Sequence, residues 1–174
     1  RSSDLCPQSC ICGRSRRFNF TVACKRKGLR HVPLYIPKET LSLNLNKNLI
    51  SNLRNYSFSN LIMLQVLNLA EIQLRYVEKA AFVGLENLVS LALEGNNLWF
   101  PSLLTQLSDS FLYLKKLKTL NLNGCRIRHF QTKFIFPLKE LDTLSLSLLI
   151  CSKVAAFNKK PEARTTYIIV SPWF

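Results

Sequence analysis

The stretch Leu64-Gln65-Val66-Leu67-Asn68-Leu69-Ala70-Glu71-Ile72-Gln73-Leu74 decides the reading of this chain, because 24 residues later it returns as Leu88-Val89-Ser90-Leu91-Ala92-Leu93-Glu94-Gly95-Asn96-Asn97-Leu98. Both follow L-x-x-L-x-L-x-x-N-x-L, with Ile72 standing where the second copy has Asn96. The same spacing runs through Thr40, Leu43, Leu45, Asn48 and Ile50; through Leu117, Leu120, Leu122, Cys125 and Ile127; and through Leu141, Leu144, Leu146, Leu149 and Cys151. The ninth template position therefore falls at residues 48, 72, 96, 125 and 149, at intervals of 24, 24, 29 and 24. A second column precedes the last four of these segments: Phe58-Leu61-Leu64, Phe82-Leu85-Leu88, Phe111-Leu114-Leu117 and Ile135-Leu138-Leu141. It predicts what fills the core behind each strand.

Such a period identifies a leucine-rich repeat solenoid, of α/β class. L-x-L alternation makes a short strand whose leucines point inward while the residue between them faces solvent, and successive coils stack into a curved parallel sheet on the concave side. The convex side is expected to be irregular or to hold short helices. At the ninth position an Asn side chain can bond backbone groups that would otherwise be buried without partners. Cys125 is a substitute there, whereas Ile72 and Leu149 leave two of five coils to satisfy that backbone through water or adjusted geometry. The concave face is expected to present Asn44, Asn46, Asn68, Ala70, Ala92, Glu94, Asn121, Asn123, Ser145 and Ser147, a set suited to hydrogen bonding rather than charge pairing.

At 174 residues and 48% hydrophobic content the chain can form one domain with a real core. It contains no apolar run approaching the ~18 residues that cross a bilayer, so membrane insertion by this chain is not expected. The net charge of +14 favours anionic partners, and half of it lies in residues 1–40, where nine Lys or Arg oppose only Asp4 and Glu39. Four cysteines crowd together as Cys6, Cys10, Cys12 and Cys24, with Cys125 and Cys151 far away. The cluster lacks the paired C-x2-C knuckles of common zinc sites, which favours disulfides over metal. Two sequons, at Asn19 and Asn55, fit an oxidising secretory route and mark candidate glycosylation sites. Together these features point to an extracellular protein.

The opening Cys6-Pro7-x-x-Cys10-x-Cys12, followed by Val22-Ala23-Cys24, Gly28-Leu29-Arg30-His31-Val32-Pro33, Ile36-Pro37 and Thr40, resembles the cysteine-rich N-terminal cap of extracellular leucine-rich repeat proteins. That resemblance implies pairing of Cys6 with Cys12 and Cys10 with Cys24, and a capping strand over Phe18, Phe20 and Val22. Toll-like receptors, neuronal adhesion receptors and small matrix proteoglycans share this cap. The proteoglycans usually carry a shorter gap than the eleven residues before Cys24, and the lengthened interval around Leu103 to Phe111 resembles the irregular repeats of Toll-like receptor ectodomains, the most similar of the three. The expected organisation is a single continuous domain with a cap over 1–39, five coils over 40–151 and a non-repeat segment over 152–174. Beyond Cys151 the template fails, since Lys159, Glu162 and Thr165 occupy its apolar positions, although Tyr167-Ile168-Ile169-Val170 is strand-like and could lie over the last coil.

Catalysis has little support, because His31 and His129 belong to no nucleophile, carboxylate or metal arrangement; neither a metal nor a cofactor is expected. Arg14, Arg16, Arg17, Lys25, Arg26, Lys27 and Arg30 bracket the cap cysteines and are expected to converge into a cationic patch. Its readings are contact with sulfated polysaccharide, nucleic acid or an acidic protein, or an ordinary solvated face. Template arithmetic puts Ser51, Arg75, Trp99, Arg128 and Ser152 in one column on the flank leaving the strands. Tyr76, Phe100 and His129 stand beside them, residue types that suit a protein interface; the alternative is that Trp99 or Phe100 turns inward to cover the enlarged repeat. Cys125 and Cys151 are expected to be buried free thiols, their alpha carbons about 8 Å apart and beyond disulfide reach.

The resemblance implies an extracellular ligand-recognition module of a receptor, of innate-immune type, binding a protein ligand or co-receptor, an anionic polysaccharide or nucleic acid without catalysis. Homo-oligomerisation stays open. The alternatives are a matrix or cell-adhesion protein that binds glycosaminoglycan through its basic cap and, from another class, a secreted enzyme or inhibitor.

Overall fold

A computed structural model describes residues 6–14, 20–98, 101–127, 132–148 and 167–170. The L-x-L segments form the strands the alternation requires. Ten strands are described: β1 (Ile11–Gly13), β2 (Thr21–Ala23), β3 (Ser42–Asn44), β4 (Asn52–Leu53), β5 (Val66–Asn68), β6 (Tyr76–Val77), β7 (Ser90–Ala92), β8 (Thr119–Ile127), β9 (Thr143–Leu148) and β10 (Tyr167–Val170). One sheet has the order β1-β2-β3-β5-β7-β8-β9-β10, parallel throughout except for the β1–β2 hairpin. Its register repeats the sequence period, with Leu43 beside Leu67, Leu67 beside Leu91, Leu91 beside Leu120 and Leu120 beside Leu144. The fold is the expected solenoid.

The template leucines among the described residues are buried, and the convex column stacks behind them. Phe58 and Phe82 lie 6.1 Å apart, Phe82 and Phe111 6.2 Å apart, in stacked pairs. In the fifth coil the ring is supplied by Phe134, which meets Phe111 edge-on at 5.3 Å. This corrects the expectation that Ile135 would hold the column. A 3-10 turn over Thr132–Ile135 brings the aromatic residue inward, where it fills more of the core than isoleucine would, and Ile135 is left partly buried at its side.

The 29-residue interval is taken up by helix α1 (Pro101–Ser110). Proline suits its first helical position, and Leu103 and Leu107, one turn apart, are buried against the core. Gln106 Oε1 accepts a hydrogen bond from Val77 N at 3.1 Å, so the helix satisfies the edge of a second, two-stranded parallel sheet made by β4 and β6.

Two bridges close the cap, Cys6 to Cys12 and Cys10 to Cys24, the pairing the family resemblance implies. Between them β1 pairs with β2, and β2 pairs with β3, so the cap extends the sheet by two strands. At the other end β10 pairs with β9, Tyr167 beside Thr143 and Val170 beside Leu146. That offset is 24 residues, one repeat. The strand-like Tyr167–Val170 thus lies beside the last coil, as its sequence suggested, and its register places β-branched Ile168 and Val170 in the leucine positions although the template fails after Cys151. Lys159, Glu162 and Thr165 lie outside the described residues.

Candidate functional site

The cap and the first coil are joined by one buried side chain. Asn48, 2% exposed, accepts at Oδ1 from Lys27 N (2.9 Å) and Leu29 N (3.0 Å), and donates from Nδ2 to Cys24 O (2.8 Å) and Leu45 O (2.6 Å). Two coils on, Asn96 does the same, accepting from Ile72 N and Leu74 N at 3.2 Å and donating to Leu69 O and Leu93 O at 2.8 Å. Cys125 takes the position next, its thiol donating to Leu93 O at 3.1 Å while receiving backbone hydrogen bonds from Gly95 and Asn96. It is buried and unpaired, and burial pushes its pKa from the ordinary 9.0 up to about 12, outweighing those two bonds. Cys151 lies outside the described residues.

The turn held by Asn48 carries Lys25, Arg26 and Lys27, all exposed. Arg26 has φ of 55°, and its N–H bonds Asn46 O as Lys47 N bonds Ala70 O and Glu71 N bonds Glu94 O. Arg26, Lys47, Glu71, Gly95 and Gly124 therefore form one column, every member in the left-handed region. No single template letter reveals it; the glycines at 95 and 124 were the signal. Along it Lys47 pairs with Glu71 at 3.4 Å, leaving Arg26 as the column's cation without such a partner among the described residues.

Of the residues expected in the cationic patch, Arg14 stands apart from Lys25, Arg26 and Lys27. In the antiparallel hairpin Ile11 faces Ala23 and Gly13 faces Thr21, so Arg14 leaves one end and Lys25 leaves the other, about 16 Å apart along the strands. Lys25, Arg26 and Lys27 stay together; Arg14 does not join them. Arg30, also exposed, follows Leu29 towards the convex side, where His31 lines an open groove of about 460 Å³ with Leu34, Arg54, Asn55 and Tyr56. Arg16, Arg17 and Asn19 lie outside the described residues. Asn55 is exposed; its Oδ1 accepts from Ala80 N at 2.8 Å, and Glu78 Oε2 receives Asn55 N at 2.7 Å.

On the concave face the asparagines are partly used by their own backbone. Asn44, Asn68 and Asn121 each accept at Oδ1 from the N–H two residues on, at 3.0, 2.9 and 3.0 Å. Their carboxamide nitrogens are thereby turned away from that bond, and Asn121 Nδ2 donates to Glu94 Oε2 in the adjacent coil. Ala70, expected on this face, is fully covered. On the flank leaving the strands, Arg75 N and Tyr76 N both bond Ser51 O, which brings Arg75 beside Ser51 as the template placed it. Arg75 and Tyr76 are exposed. Trp99, Phe100, Arg128 and His129 lie outside the described residues. Gln106, which caps β6, was missed because its role depends on where α1 docks.

A parallel solenoid with buried asparagines at residues 48 and 96 and a double-bridged hairpin at its head defines the fold: a leucine-rich repeat solenoid with a cysteine-rich N-terminal cap. The leucine rich repeat family profile matches residues 40–98. Human leucine-rich repeat-containing protein 3B is 35% identical over 98 residues, covering 56% of this chain and 37% of that protein. Mouse chondroadherin-like protein is 37% identical over 92 residues, covering 53% of this chain and 12% of that protein. The chain thus spans well under half the length of these relatives. Among solved structures, human 5T4 (Wnt-activated inhibitory factor 1, trophoblast glycoprotein) matches with a TM-score of 0.64 at 24% identity, over 83% of this chain and 64% of that one. A TLR13–ssRNA13 complex matches with a TM-score of 0.62 at 29% identity, over 80% of this chain and 19% of that chain. No helix among the described residues is long and apolar enough to cross a membrane.

Proposed function

We propose that this chain is the ligand-recognition end of an extracellular receptor of innate-immune type, and that it binds without chemistry. The observation that carries the reading is the Lys25-Arg26-Lys27 turn, held rigid by Asn48 at the rim of a concave sheet rich in neutral hydrogen-bonding groups. A rigid cationic rim beside amide and hydroxyl groups suits an extended anionic ligand, the phosphates or sulfates meeting the rim and the polar substituents meeting the sheet. The similarity to a receptor solved with single-stranded RNA supports this class of partner. Asn55, exposed on the convex side, is proposed as a glycosylation site, away from that rim.

The test is fluorescence anisotropy with a labelled single-stranded RNA and with heparin across a salt series. Binding is expected to weaken as salt rises, and the Arg26→Glu/Lys27→Glu chain is expected to lose about tenfold or more in affinity at low salt. Preference for heparin over RNA would favour the matrix or adhesion reading. Binding that ignores both salt and the double substitution would make the turn an ordinary solvated surface.

A further inference from the structure

The flank by which the chain runs into each strand carries none of the candidate site residues considered above. Its geometry is set by a backbone ladder: Gln65 N donates to Leu41 O (2.9 Å), Val89 N to Gln65 O (2.8 Å) and Lys118 N to Val89 O (2.9 Å). Leu41, Gln65, Val89 and Lys118 therefore stand in one column on successive coils. A second column runs beside it. Asn87 Nδ2 donates to Ile62 O (2.9 Å) and Lys116 Nζ to Asn87 Oδ1 (2.8 Å), which fixes Ile62-Met63, Glu86-Asn87 and Lys115-Lys116 as neighbours. One repeat earlier the same positions are Lys38-Glu39.

The middle of this strip exposes two apolar side chains beside Gln65, where its neighbours carry charges. Ile62 is 58% and Met63 49% exposed, and half-buried Leu41 and Val89 flank them on the coils before and after. Lys38 and Glu86 stand at equal distances, 24 residues either side of Ile62. Neither makes an ion pair with another described residue. Lys38 and Glu86 thus carry opposite charges at positions that a two-fold axis through the second coil would exchange, as an isologous contact requires, while Glu39 would face neutral Asn87.

We propose that this flank is the contact surface for a second copy of the chain, about a two-fold axis lying in the contact plane along the second coil. The operation places the first coil of one copy on the third coil of the other. Leu41 then meets the second copy's Val89, Met63 meets its counterpart, and Lys38 meets the second copy's Glu86 twice over. An asymmetric acidic partner would gain nothing from Glu86, which argues for self-association. Three coils at about 5 Å each make a strip smaller than the ~800 Å² per partner of a stable interface, so the dimer is weak and concentration-dependent.

Sedimentation equilibrium of the disulfide-intact chain, up to about 200 µM, tests this. Self-association is expected, and Met63→Glu is expected to abolish it. Lys38→Glu and Glu86→Lys should each weaken it about tenfold by setting like charges face to face, and the double chain Lys38→Glu/Glu86→Lys should return to within about threefold of the original. Thermal melts of all four variants are expected to match the parent, because these side chains lie outside the core. A chain that stays monomeric throughout, an affinity indifferent to the single reversals, or a double variant that fails to recover would each overturn the proposal.

Discussion

Asn48 shows how one side chain can hold a joint together. It satisfies two N–H groups of the cap turn and two carbonyls while almost entirely buried, so Asn48→Ala strands the buried carbonyls of Cys24 and Leu45 and removes the acceptor of two partly buried N–H groups. The expected loss is about 2–4 kcal/mol, read from urea unfolding, with the Lys25 to Lys27 turn loosening first in hydrogen exchange. Cys125 is the chemical counterpart in the fourth coil. Its pKa is raised by burial, so the folded state keeps the proton that the unfolded thiol loses above pH 9. That contribution is complete below pH 9 and is lost as pH rises towards about 12. Stability should therefore decline across that window, less steeply in Cys125→Ser. The native thiol should also resist alkylation at pH 8 until denaturant is added.

At the scale of elements, the close approach of coils is visible in two glycines that differ in kind. A Cβ on Gly84, which has φ of +92°, would lie 2.6 Å from Ser59 O and 2.7 Å from Ser59 Cα, both backbone atoms of the preceding coil. On Gly95, with φ of +68°, it would meet only the Cγ of Glu71 at 2.7 Å, a flexible side chain that can move away. Gly84→Ala is thus expected to cost about 3 kcal/mol or more through clash and strain together, and Gly95→Ala about 1–2 kcal/mol from the left-handed backbone alone. Paired thermal melts check the ranking. Both glycines sit at turns, and only the stacking of the coils sets them apart, pressing one of them against backbone. Helix α1 belongs to the same scale. The lengthened interval announced an irregular repeat, but nothing in Pro101 to Ser110 says that Gln106 reaches Val77.

Across the whole molecule the first strands are secured by covalent bonds and the later ones by stacking. The Cys10 to Cys24 bridge closes a 14-residue separation and ties β1 to the solenoid, so Cys10→Ser/Cys24→Ser should cost about 3 kcal/mol and expose the end of β3 to exchange. Protection of amides should then fall from the cap inward, since each coil is supported mainly by its neighbours. The candidate sites also divide at this scale. Lys25, Arg26 and Lys27 are contiguous in sequence and remain together, whereas Arg14 is carried off by the direction of β1.

The period, the leucine positions, the ninth-position asparagines and the candidate cap were legible in the sequence alone. The physical reason is that each coil buries the same face at a fixed spacing, so the requirement is local and is written afresh in every repeat. What repeats only in space was not legible. Phe134 displaces Ile135 because a 3-10 turn and a neighbouring ring decide which side chain fills the core. The left-handed column through Arg26, Lys47 and Glu71 follows from hydrogen bonds to the next coil, not from those residues' own preferences. The strand-like segment at β10 was readable, but the return of its register depends on pairing with β9 past a stretch beyond Cys151 in which the template is broken. Sequence determined the unit and its repetition; tertiary structure decided which exposed side chains came to share a surface.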